Sequence, residues 1–258
     1  MERQGAGSGS AGQAGAGGPD GDAGLTHPSP NHGPRKGDGP VDIAVIHYTA
    51  MASAGAAIAR LSDPTAEVSA HYVIDVDGEI ASLVTEDRRA WHAGRSAWGD
   101  VTDVNSRSIG IELANPGDAP FAARQMLALE GVLDGIMARH PVPAERVVGH
   151  ACIAPGRKQD PGPRFDWRRL ALGGRAVWLD PAMETMGCGV GDASAFQGAA
   201  ARIGFPVPAS GVWDAETLAV WQAFAMRFLP MRAGAEPCGG GVAHAGRLAA
   251  RWPVSQVN

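Results

Sequence analysis

The sequence is poor in cysteine, has no long apolar run and carries no excess of positive charge. Its 258 residues include three cysteines, Cys152, Cys188 and Cys238, and a set this sparse and odd does not make a disulfide framework. Cys188 and Cys238 could pair in an exported protein, but buried thiols are the simpler interpretation. No run reaches the roughly 18 apolar residues that a membrane span requires. The formal net charge of -5 provides no basic field for nucleic acid, so a substrate recognised in a pocket fits better.

The first 40 residues have few aliphatic side chains and no apolar signal region. They contain twelve glycines and five prolines, and such a segment buries too little apolar surface to offset its ordering entropy. Residues 1–40 are therefore predicted to be disordered. Without the apolar region of a secretory signal, the expected location is the cytoplasm. The periplasm or cell envelope is the alternative if the start is misassigned or the sequence is a processed form.

Apolar runs predict a sheet that begins near residue 41. VDIAVIHYTA at 41–50 and SIGIELAN at 108–115 are almost continuously apolar, as in strands buried on both faces. SAHYVIDVDGEIASLV alternates and is broken by Asp77-Gly78, a strong hairpin signal. VPAERVVGH at 142–150 is predicted to return to a strand.

One amphipathic helix is predicted between these strands, from Phe121 to His140. Asp118 and Pro120 stand where a cap and a first-turn proline belong. Its apolar positions recur at three- and four-residue steps: Met126, Leu129, Leu133, Ile136 and Met137. Strands mixed with a helix in this order predict an α/β (α+β) domain over 41–175, with a mixed central sheet flanked by helices.

A second, smaller unit is predicted over residues 185–256. Three segments have helical character: FQGAAARIGF ended by Gly204, WDAETLAVWQAFAMRFL and HAGRLAARW. Three short helices of this kind indicate a small bundle whose aromatic side chains form its core.

Two histidines stand at the ends of predicted strands. His47 ends the first buried strand, His150 ends the strand at 142–150, and Asp160 follows soon after. A histidine at such a position is often only a packed, hydrogen-bonded side chain. Two of them with a nearby carboxylate, and a fourth position left to water, form the arrangement of a catalytic zinc site. One Zn²⁺ bound there would lower the pKa of a water molecule towards neutrality.

A charged residue interrupts the strand SIGIELAN. Glu112 lies between Ile111 and Leu113, and because an unpaired carboxylate is costly in a core, it should face a polar cleft. Partial desolvation would raise its pKa and suit it to act as a general base. Lys158, two residues before Asp160, is placed to stabilise an oxyanion. A simple salt bridge between Glu112 and Lys158 is the alternative.

Five segments, in order across about 41–170, resemble the zinc-dependent N-acetylmuramoyl-L-alanine amidases of type 2. They are IHYTA, SAHYVIDVDGEI, AWHAG, SIGIELAN and VVGHACIAPGRKQDPGPRFDW. This family shares its fold with peptidoglycan recognition proteins and a phage lysozyme-amidase. The resemblance implies cleavage of the amide between N-acetylmuramic acid, or its 1,6-anhydro form, and the L-alanine of the stem peptide in peptidoglycan or muropeptides. It also implies the site: His47, His150 and Asp160 on zinc, Glu112 as base and Lys158 at the oxyanion.

The chain departs from one branch of that resemblance. The phage-lysozyme branch carries a catalytic tyrosine directly before a histidine-phenylalanine pair, whereas Ala70 precedes His71-Tyr72 here. No such hydroxyl is available, so the base role falls more firmly on Glu112. Cys152, two residues past His150, would close the site to water as a fourth ligand, and a core thiol is the preferred interpretation.

Four residues are candidates for substrate contacts. Trp91 and His92 in AWHAG look like the family's groove-lining loop, where an indole offers an apolar face to a sugar ring or peptide stem. A loop anchor in the core is the alternative for Trp91. Asn105 and Arg107 precede the Glu112 strand and could meet carboxylates of the substrate.

The C-terminal unit resembles a peptidoglycan-binding helical domain. Gly204, Gly211, Asp214, Thr217 and Phe224 fall on the pattern of that domain, although its usual Phe-Gln pair reads Trp221-Gln222. The same residues would serve any three-helix core, so the unit could bind wall glycan or only pack on the catalytic domain.

The sequence therefore predicts a two-domain zinc amidase acting on peptidoglycan or released muropeptides. A non-catalytic peptidoglycan or muropeptide recognition protein is the alternative from another class. A deacetylase acting on the same polymer is a third possibility.

Overall fold

The computed structural model describes residues 25–181 and 189–254, and its centre is a five-stranded mixed sheet. The strands are β1 His32–Pro34, β2 Ile43–Tyr48, β3 Tyr72–Ile74, β4 Ile80–Ser82, β5 Arg88–Ala90, β6 Ser108–Leu113 and β7 Val147–Gly149. The sheet runs in the order β4-β3-β6-β2-β7, while β1 and β5 form a separate antiparallel pair. Only the β3–β4 hairpin is antiparallel within the five-stranded sheet. The mixed α/β fold expected from the sequence is confirmed.

Eight helices surround this sheet within the described residues. They are α1 Ala54–Ser62, α2 Val104–Arg107, α3 Ala123–Arg139, α4 His150–Ile153, α5 Trp167–Leu172, α6 Ala193–Ile203, α7 Ala215–Phe228 and α8 Gly239–Arg251. The sequence made no prediction for α1, which follows Ser53, whose side chain caps the Ala56 amide. None of these helices combines the length and apolar character needed to cross a bilayer.

Strand β2 is apolar throughout because both of its faces are covered. Ile43 and Val45 face a core shared with the C-terminal helices. Ala44 and Ile46 face a second core formed with α3. This arrangement follows from the two-residue period of a strand buried on both sides.

Strand β6 has the same alternation, but one of its faces is not apolar. Ile109, Ile111 and Leu113 pack in the core with α3. The alternate positions carry Ser108, Gly110 and Glu112, which therefore lie on the opposite face. Glu112 pairs in parallel register with His47 of β2, so the carboxylate and the imidazole are neighbours on adjacent strands.

Helix α3 confirms the predicted amphipathic segment but not its predicted start. The helix begins after Ala122, which makes no side-chain cap hydrogen bond. Asp118 and Pro120 therefore lie before the helix, and the prediction that they form its cap and first turn is wrong. The local reason is that Asn115 binds this loop, donating to the carbonyl of Ala119 at 3.2 Å.

The predicted strand at 142–150 is shorter in the structure. Ala144–Arg146 forms a 3₁₀ turn, β7 covers Val147–Gly149, and His150 starts α4 instead of ending the strand. Since Ile46 pairs with Gly149, the next residues in each chain, His47 and His150, still emerge side by side.

Residues 25–40 are ordered, so the predicted disorder of 1–40 is wrong for this part, while residues 1–24 lie outside the described residues. Ser29 is buried and its amide donates to the carbonyl of Leu83 at 2.9 Å. Asn31 is buried and donates to the carbonyls of Asp63 and Val68. Polar side chains and backbone bonds fix this segment, which composition alone does not reveal because they require distant partners.

The three predicted C-terminal helices are present as α6, α7 and α8. Gly204 ends α6 with φ at +118°, and a methyl group at that position would lie 2.7 Å from Trp98 Cε2. Asp214 caps α7 by accepting from the Thr217 amide at 2.7 Å. Gln197 of α6 donates to Thr217 Oγ1 at 2.7 Å. The pattern that resembles a wall-binding domain thus has a structural role in joining the helices.

The C-terminal helices and the sheet share one apolar core. Phe196, Trp221 and Phe224 pack in the same cluster as Ile43 and Val45 of β2. A cation crosses this interface as well. Arg227 of α7 is fully buried with its guanidinium carbon 4.1 Å from the centroid of the Trp167 ring. Its Nε and Nη1 have no hydrogen-bond partner among the described residues.

Candidate metal centre

His47, His150 and Asp160 converge at the carboxyl ends of β2 and β7, as the sequence predicted. His47 Nδ1 lies 3.0 Å from His150 Nδ1, and Asp160 Oδ2 lies 2.9 Å from the first nitrogen and 3.1 Å from the second. All three side chains are buried. These distances are short enough for one ion with ligand bonds of about 2 Å to contact all three atoms.

The loop between α4 and α5 brings Asp160 back to His150. The Ala151 amide, one residue after His150, donates to the carbonyl of Asp160 at 2.9 Å. The Lys158 amide donates to the Ala154 carbonyl at 3.1 Å and tightens the turn between them. Two side chains that are ten residues apart in the sequence therefore reach the same point.

The protonation states of these groups suit a cation. Burial, together with the neighbouring His150, lowers the pKa of His47 to about 4, so its imidazole is neutral at pH 7. Burial would raise the pKa of Asp160, but contacts with His150 and His47 outweigh it and hold that pKa below its ordinary value. The Nε2 of His150 lies 3.2 Å from the carbonyl of Ala93, which can only accept, so its Nδ1 keeps a lone pair for the site.

Two imidazoles and one carboxylate fit a divalent metal. Within the described residues, each of the three side chains offers one possible ligand atom, and these atoms lie within 4.8 Å of one another. The mixture of nitrogen and oxygen donors, limited to three, leaves a coordination position open and is typical of catalytic zinc. Cys152 is buried in the shared apolar core and is absent from this group, in agreement with its predicted role as a core thiol.

Glu112 lies beside these three side chains, and one of its oxygens has no partner among the described residues. Oε2 is inaccessible to solvent and has no hydrogen bond among the described residues. Burial, and secondarily the Asp160 carboxylate, raises the pKa of Glu112 to about 8 against the opposing effect of Lys158. No ion pair joins Glu112 to Lys158 in the part of the chain that is described, so the salt-bridge alternative receives no support. A carboxyl group of raised pKa in this position has the properties of a general base.

These groups face an open cavity of about 490 Å³. Its walls include the predicted residues Trp91, His92, Glu112 and Lys158 together with the three converging side chains. Trp91 is partly exposed here, which favours the groove-lining interpretation over a core anchor. The sequence analysis missed Arg60 and Arg157, which also line the cavity. Arg157 directly precedes Lys158, a signal that was available, whereas Arg60 belongs to the helix that was not predicted.

Two predicted substrate contacts lie elsewhere. Asn105 is buried and its Oδ1 accepts from the amides of His92 and Ala93, at 3.1 and 2.8 Å. Arg107 forms an ion pair with Asp42 and donates to the carbonyl of Pro40. Neither residue lines the cavity, and both satisfy polar groups of the fold. Their predicted contact with substrate carboxylates is therefore corrected to a structural role.

Cys188, considered as a partner of Cys238, lies outside the described residues.

Comparisons with known proteins place this chain among relatives of one family. The family described as N-acetylmuramoyl-L-alanine amidase matches residues 37–163. The N-acetylmuramoyl-L-alanine amidase AmiD of Escherichia coli strain K12 is 42% identical over 156 residues, covering 54% of this chain and 55% of that protein. The 1,6-anhydro-N-acetylmuramyl-L-alanine amidase AmpD of Enterobacter cloacae is 35% identical over 160 residues, covering 55% of this chain and 86% of that protein.

Similarity of structure extends over more of the chain. AmiD from E. coli, solved in complex with the substrate anhydro-N-acetylmuramic acid-L-Ala-D-gamma-Glu-L-Lys, matches with a TM-score of 0.74 and 34% identity, covering 84% of this chain and 92% of that one. By sequence, the chain spans about half the length of the first curated relatives that it matches.

The segment that matches the family, residues 37–163, contains all three converging side chains as well as Glu112 and Lys158. The similarity to the Enterobacter protein extends over 86% of that relative. The chain therefore belongs to the N-acetylmuramoyl-L-alanine amidase family.

Proposed function

We propose that this protein is a zinc-dependent hydrolase of the amide bond between N-acetylmuramic acid, or its 1,6-anhydro form, and the L-alanine of a peptidoglycan stem peptide. One observation carries the proposal. Three buried lone-pair atoms on His47, His150 and Asp160 meet next to an unpartnered carboxyl oxygen of Glu112, at the wall of an open cavity. Amide hydrolysis needs this combination of a cation site and a base.

The residues divide the work of the reaction. Zinc held by His47, His150 and Asp160 would supply a Lewis acid that polarises the carbonyl and acidifies a water molecule. Glu112, once deprotonated, accepts the proton of the attacking water and returns it to the leaving amine of L-alanine. Lys158 is proposed to stabilise the negative charge that develops on the carbonyl oxygen.

The substrate class is supported by the cavity and by the relatives. Its volume of about 490 Å³ lies in the range of small-molecule sites. Arg60, Arg157 and Lys158 in its wall would favour a stem peptide that carries free carboxylates. The E. coli relative was solved with anhydro-N-acetylmuramic acid-L-Ala-D-gamma-Glu-L-Lys, so this muropeptide is the first substrate to test.

The test is product analysis by mass spectrometry. The zinc-loaded protein should release free stem peptide from an anhydro-muropeptide. Glu112→Gln should retain zinc and lose about 10² to 10⁴-fold in rate, the scale of general-base loss. Release of acetate instead would identify a deacetylase, and binding without any product would identify a recognition protein. Parallel assays on intact sacculi and on soluble muropeptide decide which of these two substrates the protein hydrolyses. Cell fractionation decides whether it acts in the cytoplasm or in the cell envelope.

For residues 189–254 we propose structural support of the metal centre instead of glycan binding. Four large aromatic side chains of α6 and α7, Phe196, Trp221, Phe224 and Phe228, are fully buried, so they are closed to stacking on a sugar. Co-sedimentation with purified sacculi tests this. Trp91→Ala removes an aromatic side chain from the cavity wall. If only the cavity binds peptidoglycan, this substitution should abolish binding to sacculi.

A further inference from the structure

His92 joins a continuous line of hydrogen bonds that starts at a metal-site histidine and ends at the backbone. His47 Nε2 lies 3.0 Å from His92 Nδ1. His92 Nε2 lies 3.1 Å from Ser108 Oγ. Ser108 Oγ donates to the carbonyl of Val104 at 2.6 Å. His92 and Ser108 are both buried.

The chemistry of the last member fixes the direction of all the others. The Val104 carbonyl only accepts, so it consumes the single proton of the Ser108 hydroxyl. Ser108 must then accept from His92, whose proton sits on Nε2. A neutral His92 keeps a lone pair on Nδ1, and His47 must donate to it from Nε2. The remaining lone pair of His47 is on Nδ1, the atom that faces His150 and Asp160.

The imidazole of His92 is held in the orientation that this line requires. A methyl group at Gly110 would overlap the His92 ring, so the ring lies directly on the backbone of β6. From the other side, Asn105 Oδ1 accepts from the His92 and Ala93 amides. The Ala93 carbonyl in turn receives the Nε2 proton of His150. Two consecutive residues thus accept hydrogen bonds from both histidines of the candidate metal centre.

We propose that His92 is a positioning residue that fixes His47 in its Nε2-protonated tautomer and thereby raises the affinity of the site for zinc. The proposal rests on the metal site of the proposed function. Hydrogen-bond partners of ligating histidines change metal affinity by about 10 to 100-fold when they are removed. The role is compatible with the substrate contact expected for His92 from the sequence, since the residue also lines the cavity.

Zinc affinity tests the proposal without an activity assay. Chelator competition on the full-length protein should give a dissociation constant raised about 10 to 100-fold in His92→Leu, which has bulk but no acceptor. His92→Asn, whose Oδ1 stands in for Nδ1, should recover most of the affinity. His244→Leu makes the same substitution at a fully buried histidine of α8 and should bind zinc as the unaltered protein does. Equal affinity in His92→Leu and in the unaltered protein would overturn the proposal.

A direct readout comes from the tautomers themselves. Long-range ¹H–¹⁵N spectra of the zinc-loaded, unaltered protein should show the proton on Nε2 of both His47 and His92, and a proton on His92 Nδ1 would contradict the assignment. Ser108→Ala should allow both His92 tautomers and weaken zinc binding less than His92→Leu. If His92→Leu does not fold, the spectra and Ser108→Ala decide. Failure of the unaltered protein to bind zinc would instead reject the metal site of the proposed function.

Discussion

Asp160 supplies the negative charge among the three side chains that converge at the candidate metal centre. It is the only acidic side chain of the three, and it contacts His47 and His150 at 2.9 and 3.1 Å. Among these three side chains, Asp160 therefore provides the negative charge that would balance a buried divalent ion.

Replacement of Asp160 by alanine should remove zinc from the protein. Two imidazoles without the carboxylate leave the ion with fewer ligands and less charge compensation, so zinc measured by elemental analysis after dialysis should fall from about one per chain to a small fraction. Asp166→Ala is a matched control because Asp166 is an exposed cap of α5 in the same loop. Full zinc content in Asp160→Ala would remove this residue from the ligand set.

Single residues of the site were predictable where the chemistry depends on residue type at a strand end. His47 and His150 were predicted in this way, Glu112 because a charge interrupts an apolar strand, and Asp160 because it follows His150 closely. The hydrogen bond between His92 and Ser108 was not predicted. It depends on which face of β6 Ser108 occupies and on the absence of a side chain at Gly110, where the His92 ring packs. Asn105 and Arg107 were misassigned for a related reason, since a polar residue next to a site can serve the backbone instead.

Among the elements, the segment from residue 25 to residue 40 gains its order from hydrogen bonds to distant parts of the chain. Arg35 is its main anchor. Its Nη1 donates to the carbonyls of Asn105, Ser106 and Ser108, and its Nη2 donates to the carbonyl of Glu86 at 2.8 Å. The segment is thereby attached to the start of β6, the strand that carries Glu112.

Loss of the Arg35 side chain should destabilise the protein. Arg35→Ala leaves several carbonyls without a donor, at a cost of about 1–3 kcal/mol for each buried group that water does not reach. Chemical denaturation should show a free energy of unfolding lower by at least about 2 kcal/mol. The neighbouring Lys36 is exposed, so Lys36→Ala should change it by less than about 0.5 kcal/mol. Equal stability of the two variants would contradict the anchoring role.

The end of α3 is attached to the β3–β4 hairpin through Glu86, and this attachment should depend on pH. Burial raises the pKa of Glu86, but hydrogen bonds from Arg139, Tyr72 and His140 outweigh it and bring the pKa to about 2. Because the folded pKa lies below the unfolded value of about 4.3, the carboxylate stabilises the fold above that value. The contribution is lost as pH falls from about 4.3 towards 2.

Glu86→Gln should therefore cost up to about 3 kcal/mol at neutral pH and progressively less in acid. Denaturation curves at pH 7 and pH 3 should show the difference from the unaltered protein narrowing as pH falls. The exposed Glu236 offers a control, since Glu236→Gln should leave the stability difference near zero at both values. A difference that does not change with pH would show that Glu86 acts through packing alone.

Elements with a regular apolar pattern or a strong turn signal were predictable, and several short ones were not. The paired strands β2 and β6, the Asp77-Gly78 hairpin and α3 agree with the sequence because apolar burial decides them. The boundary at His150 was wrong because pairing stops at Gly149 once the chain turns into α4. Helix α1 covers only nine residues, so its apolar face repeats over little more than two turns.

On the scale of the whole molecule, the C-terminal helices are not a separate body in energetic terms. They share an apolar core with β2 and β7, and Val148 of β7 belongs to the same cluster as Phe224 of α7. Burial of apolar surface between the two units is thus part of the stability of each.

The two units should unfold together. Calorimetry should give one transition in which the calorimetric and van't Hoff enthalpies agree, as expected of a cooperative unit. Phe224→Ala opens a cavity in the shared core and should lower the free energy of unfolding by about 3–5 kcal/mol. The temperature of the whole transition should fall accordingly. Two resolved transitions, with only one shifted by the substitution, would show that the helices fold on their own.

The buried guanidinium of Arg227 limits how such proteins can be recombined. It covers Trp167 of α5, and that indole would lie 3.3 Å from a methyl group at Gly149, the residue just before His150. A chimera that replaces the chain after residue 181 with a foreign targeting module would lose Arg227 and expose Trp167 next to the backbone that carries His150. Successful grafts will have to retain α7 and add the new module beyond α8.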